Sequence, residues 1–233
     1  MRFALAIIVA LLCTGLGASA WIGVAIADLP DSSWKMASKR SYDGVELTLY
    51  VEAEKKPGQP AFRIETSLAV SPLVAALTLM EEMSEPGGSD TRQTRRLLER
   101  TDREALVHTY IDLPFMFSDR ELAIRIRHSD DRVTGIHRID WVDENAALPP
   151  AGAGVLRLAT EGYWEFRPSG PGRTDATYVS RAEVGGSLPS VISNRLMKKQ
   201  AVESVERLHG LLSERRRTHV AGSPASPPSA QVE

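Results

Sequence analysis

The feature that most limits how this chain can fold is a long amphipathic segment near its C-terminal end. Gly185-Gly186-Ser187-Leu188-Pro189 opens it, with Ser187 as the expected cap. Apolar residues then recur at helical spacing (Leu188, Val191, Ile192, Leu196, Val202, Val205, Leu208, Leu212), while Arg195, Lys198, Lys199, Glu203 and Glu206 fall elsewhere. A helix of about 30 residues at 1.5 Å per residue is roughly 45 Å long. Its apolar face has to be covered, so the rest of the chain must supply a surface of matching length.

The preceding residues read as that surface. Ser41-Tyr42-Asp43-Gly44 carries a tight-turn signal, and Val45 to Val51 alternates with period two, which predicts a hairpin over Trp34 to Glu54. A turn at Pro57-Gly58-Gln59-Pro60 precedes a third strand from Ala61 to Val70, with Phe62, Ile64, Thr66, Leu68 and Val70 on one face. Ser71-Pro72 then starts a helix whose apolar stripe reads Leu73, Val74, Leu77 and Met80 or Met83, ended by Gly87-Gly88. The charged stretch Asp90 to Glu104 reads as a short solvated helix or a connection. Strands follow at Ala105 to Asp112, Arg120 to His128, Val133 to Val142, Leu156 to Arg167 and Thr174 to Glu183, an antiparallel meander. The class is α+β, a curved antiparallel sheet wrapped against a long C-terminal helix. The space between them is either a small-molecule cavity or filled by side chains.

The two ends read differently. Phe3 to Ala27 is almost unbroken apolar or small sequence after Met1-Arg2, the pattern of an export signal, with cleavage expected after Ala27 or, alternatively, after Ala20. The same run is long enough to remain as a membrane anchor. The expected location is therefore periplasmic, with an N-terminally anchored form as the alternative. Residues 218–233 are rich in Pro, Ser and Ala and read as a disordered tail, leaving 28–217 as one domain. Cys13, the single cysteine, sits inside the export segment, so disulfides, thiolate catalysis and Cys-based zinc sites are excluded once that segment is removed. A balance of 28 Lys+Arg against 30 Asp+Glu gives net −2 and no basic field for a polyanion, so nucleic acid is not an expected partner.

Four short motifs in order resemble one family. Pro114-Phe115-Met116-Phe117-Ser118-Asp119-Arg120-Glu121 resembles the P-x-P-x-x-x-R-D strand entry of START (steroidogenic-acute-regulatory-related lipid-transfer) domains. Gly162-Tyr163-Trp164-Glu165-Phe166-Arg167-Pro168 is similar to their G-x-W-x-x-x-P strand, Thr177-Tyr178 to their T-x-V-x-Y strand, and Gly185 to Asn194 to the opening of their last helix. The resemblance covers about residues 34 to 212. The chain departs from the pattern at Phe117, at Glu121 and in lacking a Trp between Asp90 and Leu106. The resemblance implies a helix-grip fold and binding or transfer of a lipid or other hydrophobic molecule; with the N-terminal export pattern, the expected protein is an exported monomer with transient membrane contact. Its cyclase/aromatase relatives imply the alternative, a small-molecule enzyme on the same fold. A scaffold with a filled core is the third reading.

Candidate cavity residues follow from strand and helix faces: His108, Tyr110, Arg125, Trp164, Tyr178, Leu188, Ile192 and Leu196. His108, Tyr110 and Asp112 share one strand face, the best acid/base hint in the chain. Arg125 and Arg127 alternate with Leu122, Ile124 and Ile126, so one set meets the core and the other does not; an inward Arg125 would anchor a polar head group. Arg120 reads as a structural ion-pair partner. Tyr178 lies with Ala176, Ser180 and Ala182, small residues that leave room beneath a helix. Ligand exchange is expected to use the Gly185-Gly186 hinge and the loop from Asn145 to Gly154. The five histidines have no metal spacing, and the chain lacks the G-x-S-x-G, H-E-x-x-H and phosphate-loop motifs, so no catalytic residue, metal or cofactor is expected.

Overall fold

Alternation in the sequence becomes register in the structure. The computed structural model describes residues 29–54, 59–87, 93–113, 118–183 and 190–221, with side chains of the last helix described over 194–218. The N-terminal segment expected to direct export, Pro114 to Phe117, Gly185-Gly186 where a hinge is expected, Leu188, the side chain of Ile192 and residues beyond 221 lie outside the described residues. After a short 3-10 turn at Asp31–Ser33, the chain runs β1 (Trp34–Tyr42), β2 (Val45–Glu52), β3 (Ala61–Leu68), α1 (Pro72–Ser84), β4 (Gln93–Arg100), β5 (Glu104–Ile111), β6 (Asp119–Asp131), β7 (Ile136–Asp143), β8 (Val155–Arg157), β9 (Ala159–Gly170), β10 (Arg173–Glu183) and α2 (Ser190–Ala221).

Among the described residues these strands form one sheet ordered β1-β2-β3-β10-β9-β7-β6-β5-β4, with β8 paired to β6 in parallel. The β1–β2 turn is the predicted one: Asp43 and Gly44 both have positive φ, the left-handed geometry that a two-residue hairpin turn needs. One face of the sheet carries the helices. Leu47, Leu49, Phe62, Ile64, Ala105, Val107, Ile126, Ile139, Trp141, Trp164, Phe166, Ala176 and Tyr178 form a single core with residues of α1 and α2. Helix α1 lies over β5, β6, β7 and β9, while α2 packs on β3, β10 and α1. Arg207 pairs with Glu82 at 2.5 Å, Arg215 pairs with Glu81, and Arg95 donates to the Glu82 carbonyl at 2.6 Å, tying both helices to the edge strand β4.

Four expectations are corrected. The stretch taken as a solvated helix or connection is the edge strand β4. Its inward positions are Gln93, Arg95 and Leu97, so the aliphatic stem of Arg95 does the work an apolar residue normally signals. Helix α1 has the opposite phase to the one its large side chains suggest: Ala75, Ala76, Leu79 and Met80 are buried, whereas Leu73, Val74 and Leu77 are exposed. The volume beneath it is filled by rings from the sheet, so the helix presents its small residues to them. Ser71 stands at the N-cap without a side-chain cap hydrogen bond, leaving Pro72 and the Ala75 N–H bond to the Ser71 carbonyl to start the helix. In α2, Val202, Val205, Leu208 and Leu212 are buried as expected, joined by Ala201 and His209, but Leu196 is 44% exposed.

Candidate functional site

The helix-facing side of β7, β9 and β10 builds an aromatic wall. Trp164 on β9 stands between Ile139 and Tyr178 in register, and Trp141 stands opposite Gly162. The Trp164 and Tyr178 rings are 4.9 Å apart, Trp141 and Tyr178 5.7 Å, and Trp164 and Phe166 5.7 Å, the offset and tilted contacts aromatic pairs prefer. Gly162 makes this possible. A Cβ built there would lie 2.2 Å from Cζ2 of Trp141, so only glycine lets the indole lie across the strand.

Beyond the rings the wall becomes small and polar. Ala176, Ser180 and Ala182 on β10 are all buried and alternate with Tyr178 towards the end of the sheet where α2 begins. Burial pushes the Tyr178 hydroxyl up from its ordinary pKa, and the neighbouring Ser180 and Ser204 hydroxyls act the other way. At the same end Trp141 Nε1 donates to Thr160 Oγ1 at 3.4 Å, and the Thr160 N–H donates to Asp143 Oδ1 at 3.3 Å. Burial raises the Asp143 carboxyl above the usual range, against the backbone hydrogen bonds that favour its charged form.

Arg120 is a buried cation on this side. It faces Ile111 across β5–β6, shares the parity of Leu122, Ile124 and Ile126, and is only 3% exposed. Its Nη1 donates to the Ser118 carbonyl at 2.5 Å, and burial lowers its pKa while Asp119 acts in the opposite sense.

Trp164 and Tyr178 are thus brought together on the wall. Four other expected residues are not: Leu196 on α2 is exposed, and the other three lie elsewhere on the sheet. His108, Tyr110 and Arg125 lie on the outer face of the sheet, away from both helices, because Ala105 and Val107 on β5 and Ile124 and Ile126 on β6 take the inward parity. There His108 Nε2 meets Glu121 Oε2 at 3.2 Å and Tyr110 donates to Asp119 Oδ2 at 2.5 Å, which raises the phenol and lowers the carboxyl. Arg125 holds Glu144 through Nε and Nη2 at 2.5 and 2.8 Å and Glu99 through Nη1 at 3.0 Å, raising its pKa further. These groups are committed to one another on an open face and do not converge on a cleft. The loop expected to act as a lid is likewise fixed outward. Arg157 pairs with Glu121 at 3.2 Å and donates to the Asn145 and Pro149 carbonyls, and Asn145 bridges the Ala123 N–H and the Leu158 carbonyl.

The sequence reading missed Trp141 and Asp143. The signal was present as the alternation Ile139, Trp141, Asp143 on β7, with glycine at the cross-strand position of the indole. Among the described residues no group of three or more His, Cys, Asp or Glu is arranged to hold a metal ion.

An open curved antiparallel sheet gripping a C-terminal helix is the helix-grip fold of START lipid-transfer domains. Solved structures of that class superpose on most of the chain. A STAR-related lipid transfer protein from Xanthomonas axonopodis aligns with a TM-score of 0.60 and 22% identity, over 78% of this chain and 99% of that one. Human STARD10 aligns with a TM-score of 0.61 at 12% identity, over 83% of this chain and 80% of that one. An uncharacterised protein of Pseudomonas aeruginosa is 24% identical over 204 residues, covering 85% of this chain and 95% of its own length. No family model matches the sequence.

Proposed function

We propose that this protein is an exported carrier that holds a lipid or another hydrophobic small molecule between the inner face of the sheet and the first half of α2. The observation that carries the reading is the change of side-chain size along β10, where past Tyr178 the aromatic wall gives way to Ser180 and Ala182 beneath the helix. The START-like fold supports it, since the Xanthomonas relative is named for lipid transfer. The mechanism is burial: each methylene withdrawn from water contributes about 0.8 kcal/mol, so even part of an acyl chain is held without covalent chemistry. Arg120 would meet an acidic head group, and Asp143 with Thr160 would meet a hydroxyl.

The test is native mass spectrometry of the protein purified without detergent from an exporting bacterial host, followed by solvent extraction of what it carries. A stoichiometric lipid is expected. A protein that is reproducibly empty and takes up no lipid from vesicles overturns the reading in favour of a filled core.

A further inference from the structure

Helix α1 has an unusual solvent face. Over its first two turns the exposed side chains are large and apolar: Leu73 at 47%, Val74 at 42% and Leu77 at 48%. They form one stripe over the first two turns, and on the sheet side Leu73 and Leu77 edge a groove of about 490 Å³ shared with Asp102, Arg103, His128, Asp130 and His137. His128 Nε2 and His137 Nδ1 are 3.1 Å apart there, and Arg103 holds Asp130 at 2.5 Å, so these groups are largely occupied with one another. A solvent-facing helix normally carries its polar residues on this side. Contiguous exposed apolar surface rimmed by polar groups marks a contact site.

The opposite margin says what the contact is. Towards its C-terminal end helix α2 carries Arg215, Arg216 and Arg217, all exposed. Arg215 is held by Glu81, whereas Arg216 donates to the Ala69 carbonyl at 2.8 Å, which places it beside the first turn of α1. Among the described residues neither Arg216 nor Arg217 is paired with a carboxylate. Apolar side chains flanked by arginines not committed to acids match the acyl boundary and the phosphates of a lipid surface. A two-fold contact with a second copy fits less well, because an isologous interface brings the same arginines towards each other.

We propose that the N-terminal half of α1, together with Arg216 and Arg217, is a docking face for an anionic phospholipid bilayer. It lies at the end of the sheet opposite Ser180 and Ala182, near the β3 terminus and the β6–β7 turn. The inference does not depend on an occupied interior.

Co-sedimentation of the detergent-free protein with vesicles of phosphatidylcholine, alone or mixed with phosphatidylglycerol, tests it. The wild type should pellet with the mixed vesicles. Leu73→Ser/Val74→Ser/Leu77→Ser should weaken binding on the order of 100-fold, since each half-exposed side chain loses part of its transfer free energy. Arg216→Ala/Arg217→Ala should weaken it by roughly fivefold per arginine on mixed vesicles and leave phosphatidylcholine binding unchanged. The arginine pair serves as the test by itself if the triple variant does not fold. The proposal is overturned by a wild type that stays in solution, by variants that pellet like the wild type, or by a wild-type dimer that the triple variant dissociates.

Discussion

Replacing Gly162 with alanine puts a methyl group 2.2 Å from Cζ2 and 2.7 Å from Cε2 of Trp141, and 2.4 Å from the backbone carbonyl oxygen of Val179. The Val179 oxygen belongs to the paired strand β10 and cannot move without disturbing that ladder, so most of the adjustment falls on the indole. Overpacking of this kind costs about 1–3 kcal/mol when neighbours shift slightly. A Trp141 ring forced off the strand also loses its stacking on Tyr178 and part of its burial, and complete loss of a buried Trp side chain costs about 3–5 kcal/mol. Gly162→Ala should therefore destabilise by about 3 kcal/mol. The assay is urea unfolding followed by far-ultraviolet circular dichroism, repeated in a Trp141→Leu background. With the indole absent only the Val179 contact remains, and the cost of the alanine should fall by at least about 1 kcal/mol, a coupling expected of residues in contact. A Gly162→Ala cost below about 1 kcal/mol, or one unchanged by Trp141→Leu, would refute the close approach as the reason for the glycine.

The outer face carries a buried ionic triad in which Arg181, 1% exposed, meets Glu52 and Glu161 at 3.1 Å each. Arg181→Met should cost about 3–5 kcal/mol in chemical denaturation by leaving Glu52 uncompensated, and adding Glu52→Leu should restore most of it. His209 is buried against Thr66 Oγ1 at 3.0 Å, and burial lowers its pKa. The folded protein then binds fewer protons than the unfolded chain, so the contribution is complete above the ordinary histidine value near 6.5 and is lost as pH falls below it. His209→Gln should flatten urea midpoints measured between neutral and mildly acidic buffer. Ser180→Leu, which fills the small-residue wall, should abolish co-purified lipid while the fold persists; His108→Ala on the opposite face should leave lipid occupancy unchanged, with native mass spectrometry as the readout.

How much of this was legible depends on where alternation has a sign. The β1–β2 hairpin, β3, most of the meander and the later turns of α2 are visible because apolar residues recur at the period of their element, but the single strand expected over Leu156 to Arg167 divides into β8, paired in parallel with β6, and β9. Phase is harder. Ala105, Leu106 and Val107 are all buried, so β5 is covered on both sides at that point and the sequence does not say which face belongs to the helices. That ambiguity puts His108, Tyr110 and Arg125 on the wrong side in a sequence reading. In α1 the large residues define an apolar stripe, but close packing against indole rings selects the small ones. Trp141 escapes notice because its partner is a glycine, which leaves no hydrophobic signature.

An open sheet with one covered face has to manage its other face and two free edges. Both edge strands carry a bulge, at Met36/Ser38 in β1 and at Leu97/Glu99 in β4, and both are rich in cations, with Lys35, Lys39 and Arg40 on one and Arg95, Arg96 and Arg100 on the other. Those features discourage edge-to-edge pairing. The outer face is laced by ion pairs from Arg63 to Asp31 and Glu65, Arg138 to Asp140 and Glu165, and Arg125 to Glu99 and Glu144. Each is worth little alone at the surface. Together they keep that face polar, which confines the large apolar surface to the inner side. There α1 covers β5 to β9 and α2 covers β3 and β10. The seam between them runs over the junction of β9 and β10, where the Trp164–Tyr178 pair fills the layer and, beyond it along β10, Ser180 and Ala182 replace bulk with small side chains. The guest proposed above would meet the smallest side chains at that end of the seam, where making room displaces least.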